Sequence, residues 1–227
     1  FVDHALAQLA PANLFGGLVF QIDDDITADS KRPKIDPAVA HQRAAKLFNN
    51  FCTKQEGIWG LLNQGLFGAF FNQKNGDRCL KLVQQFQQTS KNKTGLTVSA
   101  GIAEYPTLNY QPPDVLANAL KALDHAAFLG PNSAVIFDAV SLNISGDQMF
   151  DKGDLNGSIE EFKQALTMDP ENINVHNSLG VCYGLLGEYE KANLEFKSAV
   201  KLNHNEVMAW YNMGFVHMLN GDRPRAL

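Results

Sequence analysis

Apolar and polar positions change rhythm once along this chain. Up to about residue 139, short apolar runs alternate with amphipathic stretches; beyond it every segment repeats at helical spacing. The pattern FVDHALAQLA predicts the end of an amphipathic helix over 1–10, stopped by Pro11. LFGGLVFQI, 14–22, is a short apolar run after a turn signal and predicts a buried strand. Residues 23–36 are polar and turn-rich and predict a loop. Asp36 and Pro37 are a helix start, with the helix reaching about Cys52. Gly57–Leu62 and Leu66–Asn72 predict two strands of a hairpin around Asn63-Gln64-Gly65. A helix over Asp77–Thr89, a strand over Leu96–Ala103, a helix over Pro113–Leu129 and a strand over Ala134–Phe137 complete this part. The order is β-α-β-β-α-β with an added α-β, which predicts an α+β, ferredoxin-like sheet with helices packed on it.

The remaining residues carry a period of 34. Gly146, Gly180 and Gly214 stand one period apart, as do Gly153, Gly187 and Gly221, and Leu142, His176 and Trp210. Phe162 pairs with Phe196, Ala165 with Ala199, and Asp154 with Glu188 and Asp222. One helix–turn–helix unit has this length, and such units bury a core only by stacking. The first helix of each unit is expected over 140–152, 174–186 and 208–220, and the second over 155–168, 189–202 and from 223 onward. The units are 139–172, 173–206 and a shortened 207–227, so the domains read as 1–139 and 140–227.

Charge sharpens this boundary. The net charge of −5 falls entirely on the residues after 139, while those before it balance. A repeat segment with an acidic excess does not suit nucleic acid, which needs a basic stripe. Cys52, Cys79 and Cys182 are scattered, with no metal-ligand spacing and no disulfide framework, so a reducing, cytoplasmic setting is expected. No apolar run approaches a membrane span. Phe1 is not a starting Met and the last residues fall inside a repeat, so the sequence reads as a piece of a longer one.

The repeated glycine, phenylalanine and alanine positions resemble the tetratricopeptide repeat (TPR). Ser158 stands where that family usually has Ala, and Met149 where it has an aromatic residue. The resemblance implies a groove lined by the first helix of each unit: Asn143 and Asp147, Asn177 and Val181, then Tyr211, Phe215 and Met218. A protein or peptide partner is implied. The last three residues lie at i, i+4 and i+7, either as an apolar peptide strip or as a face that packs under further repeats, the plainer reading. The Lys and Arg pairs with which some such arrays clamp a peptide carboxylate are absent, since Asn143, Asn177 and Tyr211 share one register.

LTVSAGIAEYP (96–106), the helix with ALKALDHAAFLGPN (119–132) and AVIFD after it resemble the GGDEF domain of diguanylate cyclases. The resemblance extends back over LVFQID and IWGLLNQGLFGAFF and implies a nucleotide-cyclase-type sheet in a bacterial cyclic di-GMP signalling setting. In that family two metal ions held by carboxylates polarise a triphosphate. The first carboxylate aligns with Gln21, and the acidic pair of the hairpin turn with Gly65 and Leu66. The phosphate-holding Lys and Arg align with Ala127 and Pro131, a further Asp with Leu120, and the product site with Lys54 and Gly57. Residues 57–76 contain no Asp or Glu, so no shift of alignment restores the pair. Asp23, Asp24 and Asp25 could hold a hard cation through oxygens; a solvated acidic turn is preferred, because no second acidic element comes opposite.

The expectation is a degenerate, non-catalytic GGDEF-like domain without cofactor, coupled to protein-binding repeats as a signalling scaffold, with a homodimer possible. A nucleotide receptor that binds GTP or cyclic di-GMP without turnover is the alternative, and an active cyclase the least favoured.

Overall fold

The computed structural model describes residues 1–23, 37–63 and 65–222. It divides into two compact units, Phe1–Phe137 and Asp138–Leu227. The expected loop beyond Asp23, Gln64 in the hairpin turn and the expected helix from 223 lie outside the described residues.

The first unit runs α1 (Val2–Leu9), β1 (Phe15–Ile22), α2 (Pro37–Lys54), β2 (Ile58–Asn63), β3 (Leu66–Asn72), α3 (Gly76–Thr94), β4 (Val98–Tyr105), α4 (Val115–Phe128) and β5 (Ala134–Ile136). The sheet order is β2-β3-β1-β4-β5. β1 pairs antiparallel with both β3 and β4, and β5 adds to β4 in parallel. This is the interleaved β-α-β-β-α-β order with one strand added at its edge. β1 is central and reads as a near-continuous apolar run because both sheet faces are covered; Gln21 is its one exposed residue.

The two faces are packed differently. Leu18, Phe20 and Ile22 point with Phe67, Ala69 and Phe71 into a core closed by α2 and α3. Phe20, Phe48 and Phe86 meet there edge to face, with ring centroids 4.7, 5.4 and 5.3 Å apart. On the other face α4 crosses β4 at Gly101. A Cβ on Gly101 would lie 1.8 Å from the Ala119 carbonyl oxygen and 2.3 Å from the Leu123 nitrogen, so only glycine permits this crossing.

Two elements differ from expectation. α3 continues five residues past Thr89, through the polar SKNKT, and stops where Gly95 takes the left-handed conformation at φ 73°. Ser90 is held inside by donating to the Leu96 carbonyl at 2.9 Å, so a polar residue fits a buried helix face. β4 is displaced by two residues and ends at Tyr105, because its ladder on β1 runs from Ile22 opposite Val98 to Phe15 opposite Tyr105.

The described residues of the second unit form α5 (Ala139–Asp151), α6 (Leu155–Met168), α7 (Ile173–Leu185), α8 (Tyr189–Leu202) and α9 (Val207–Leu219). α5 packs on α6, α7 on α8 and α8 on α9, and the inner helices α5, α7 and α9 touch in succession. Asp138 and Asn172, one period apart, cap α5 and α7 by accepting from the Ser141 and Val175 amides. The glycines at 153, 187 and 221 all have positive φ, at 81°, 77° and 79°, and turn the chain from inner to outer helix. Gly146 and Gly180 do a different task. A Cβ there would lie 2.5 Å from the ring of Phe162 or Phe196, so the outer helix of each pair drives its Phe into the glycine of the inner one. Ser158 is fully buried where the next unit has Ala192, and its hydroxyl donates to the Gly146 carbonyl at 2.8 Å.

Candidate functional site

In the first unit, the end of the sheet collects the positions that the cyclase alignment singled out. Gln21 lies directly opposite Leu66 on β3 and Ser99 on β4. Gly65 precedes Leu66 in the turn, with φ 92°. A crevice of about 300 Å³ opens beside them, lined by Gln21, Ile22, Asp23, Ser99, Leu123, Ala127, Gly130 and Pro131. Gln21, Ala127 and Pro131, which are far apart in sequence, therefore share one crevice.

Asp23 is the one carboxylate among the described residues that line it, and both of its oxygens are used. Oδ1 accepts from the Ser99 hydroxyl at 2.6 Å and Oδ2 from the Asn132 amide at 2.8 Å. Ser99 Oγ in turn accepts from the Ser133 amide at 3.3 Å. Asp23 thus ties the end of β1 to β4 and to the turn before β5. Among the described residues, the aligned positions offer an amide, a glycine and a leucine, and both oxygens of Asp23 are engaged by Ser99 and Asn132. Among the described residues no group of three His, Cys, Asp or Glu side chains could hold a metal. Asp24 and Asp25 lie outside the described residues.

Burial pushes the Cys52 and Cys79 thiols up to about 12 and raises that of Cys182, so all three stay protonated near neutral pH.

The second unit offers a groove across its inner helices. About 330 Å³ of space is lined by Asp147 and Phe150 of α5, Asn174, Asn177, Ser178 and Val181 of α7, and Glu206, Met208 and Asn212 around α9, with Phe162 beneath. A neighbouring recess of about 220 Å³ is lined by Val181 and Leu185 on one side and Tyr211, Phe215 and Leu219 on the other. Of the residues singled out from sequence, Asp147, Asn177 and Val181 line the first space, and Val181, Tyr211 and Phe215 the second. Asn143 stands one turn before Asp147 and donates to its carboxylate at 3.4 Å. Met218 lines neither space and is half exposed.

Sequence reasoning passed over Asn174, Ser178, Glu206, Met208 and Asn212. A readable signal existed: Asn174, Asn177, Ser178 and Val181 form an i, i+3, i+4, i+7 stripe, and one period maps Asn174 and Ser178 onto Met208 and Asn212. Glu206 falls on the capping register of Asp138 and Asn172 but makes no side-chain cap bond, and it lines the groove.

His176 illustrates how the repeat fixes a polar group. Trp210 Nε1 donates to the His204 carbonyl at 3.0 Å, and one period earlier His176 Nε2 meets the Pro170 carbonyl at 3.1 Å. A carbonyl only accepts, so Nε2 carries a proton. The Glu195 carboxylate lies 2.7 Å from Nδ1, so the two neighbours together favour the doubly protonated ring of His176. The bond to Glu195, then that to Pro170, raise its pKa, against an opposing effect of burial.

Comparison with known proteins agrees with the repeat. The TPR repeat family matches residues 146–187. A curated relative, the BBSome complex member BBS4 of Bos taurus, is 23% identical over 167 residues, which covers 71% of this chain and 29% of the relative. The chain thus spans less than a third of that protein's length. Among solved structures, the second TPR of Spaghetti (RPAP3) bound to an HSP90 peptide is 21% identical, covering 39% of this chain and 82% of that one, with a TM-score of 0.38. The active GGEEF domain of a diguanylate cyclase from Vibrio cholerae is 15% identical, covering 60% of this chain and 89% of that one, with a TM-score of 0.47. The matched residues 146–187 span the end of α5, all of α6 and all of α7, so the likeness to the TPR repeat covers part of the helical unit that forms the groove.

Proposed function

We propose that this chain is a non-catalytic scaffold that binds a protein or peptide through the groove of its helical repeats. The cyclase-type sheet in front of them serves as a docking or dimerising platform in signalling. The observation that carries the reading is the lack of charge at the aligned positions of the sheet end. Gln21 lies opposite Leu66, with Gly65 beside it, where the resemblance calls for carboxylates, and Ala127 and Pro131 line the crevice where it calls for cations. Phosphoryl chemistry depends on charge at these points, since metal ions and cations stabilise the charge that develops on the transferred group.

The repeats support the binding half of the reading. Their inner helices carry an open groove with apolar and amide side chains, the kind of surface that stacked helical pairs present to partners. The curated relative is named as a member of a complex, in keeping with a chain that acts by assembly.

The test of the sheet end is incubation of the full chain with labelled GTP and Mg²⁺ or Mn²⁺, with products separated by chromatography. No cyclic dinucleotide and no pyrophosphate release are expected. Product that accumulates in proportion to protein overturns the reading.

A further inference from the structure

The groove's charge points to the chemistry of its occupant, on the reading that the groove binds a peptide. The inner helices α5, α7 and α9 contain no Lys or Arg. The lysines of this unit lie elsewhere: Lys152 in the turn after α5, Lys163 on α6, and Lys191, Lys197 and Lys201 on α8. Lys163 and Lys191 are already paired with Glu160 and Glu188. The two histidines of the inner helices face away from solvent, His176 toward Glu195 and His217 at 9% exposure.

Two acidic residues, Asp147 and Glu206, line the same space, and no cation among the described residues lines it with them. Asp147 accepts a long hydrogen bond from Asn143. Burial, helped by the charge of Asp151, raises its carboxyl pKa, as expected of an acid lacking a positive neighbour. Glu206 is released from the capping role that its register predicts. Between them lie Asn174, Asn177, Ser178 and Asn212, which offer both donors and acceptors to a peptide backbone. Asn143 and Asn177, one period apart, each keep a buried Oδ1 without a hydrogen-bond partner. A turn of the Asn177 carboxamide into the groove would satisfy it with a backbone N–H. Phe150, Val181 and Met208 supply apolar surface of the kind that covers the methylene stem of a long cationic side chain.

We infer that the groove takes an extended peptide bearing a Lys or Arg, whose cation sits between Asp147 and Glu206 while the asparagines and Ser178 hold its backbone.

The experiment measures binding of the full chain to pools of short fluorescent peptides in which one position is fixed in turn as Lys, Arg, Asp, Glu or Leu. Lys and Arg pools are expected to bind on the order of tenfold more tightly than Asp and Glu pools, with the difference shrinking as salt is raised. Asp147→Asn should remove most of that preference without shifting the melting temperature. Asn177→Ala should weaken every pool alike. Equal binding of all pools, or preference for Asp and Glu, overturns the inference while leaving the peptide-binding reading intact. Failure of every pool to bind contradicts both. A preference for Lys and Arg that survives in both Asp147→Asn and Glu206→Gln places the cation elsewhere and overturns the inference as well.

Discussion

Glycine is required at 101 and at 146 for different reasons, and the two should respond differently to the same substitution. At Gly101 an added methyl meets the backbone of α4, which cannot turn aside. Gly101→Ala should cost roughly 3 kcal/mol or more, read from urea unfolding of the first unit. At Gly146 the obstacle is the ring of Phe162, a side chain, so Gly146→Ala should cost about 1–3 kcal/mol, and less when combined with Phe162→Leu. Asp23 makes a prediction that separates structure from catalysis. Its carboxylate accepts from Ser99 and Asn132, so Asp23→Ala should destabilise the first unit by about 1–3 kcal/mol. Retention of full stability would mean that the carboxylate is free for another task. Ser158→Ala should be mild, about 1 kcal/mol or less, since the buried equivalent one period later is Ala192.

At the scale of elements, His176 couples α7 to α8 and to the turn at Pro170. Its folded pKa is raised, so the stability it contributes is complete below the unfolded value of about 6.5 and is lost as pH rises through the folded value. Melting of the second unit should therefore move down as pH is raised across that window. His176→Gln and Glu195→Gln should each flatten the dependence and cost about 1 kcal/mol at acid pH. The elements themselves were largely legible. The strand order follows from apolar runs and turn residues, and the helical pairs from the register of Gly153 and Phe162 with Gly187 and Phe196. The overrun of α3 was not read, because SKNKT is polar and its anchoring depends on Ser90 reaching Leu96. Its stop signal, Gly95, was nonetheless in plain view. The groove was read only in part. Periodicity within one helix finds Tyr211 and Phe215, whereas Glu206 joins Asp147 only because successive inner helices lie side by side.

For the whole molecule, the two units stand in contrast. The first spends its polar groups on itself: Gln87 is buried and donates to Val98 and Ser133, and Asp23 closes a turn. The second leaves polar groups facing open space, with Asp147, Glu206 and the asparagines along one groove and Tyr211 and Phe215 exposed at 68% and 47% beside it. Among the described residues no helix is long and apolar enough to cross a membrane. We propose that binding resides in the repeats and that the sheet end contributes no chemistry. Hydrogen–deuterium exchange on the full chain, with and without a saturating Lys-fixed peptide pool, tests that claim most directly. The account predicts added protection on α5, α7 and the start of α9, around residues 143–147, 174–181 and 206–215, with none at residues 18–23 or 97–102. Protection confined to the sheet end, with the inner helices unchanged, would contradict it.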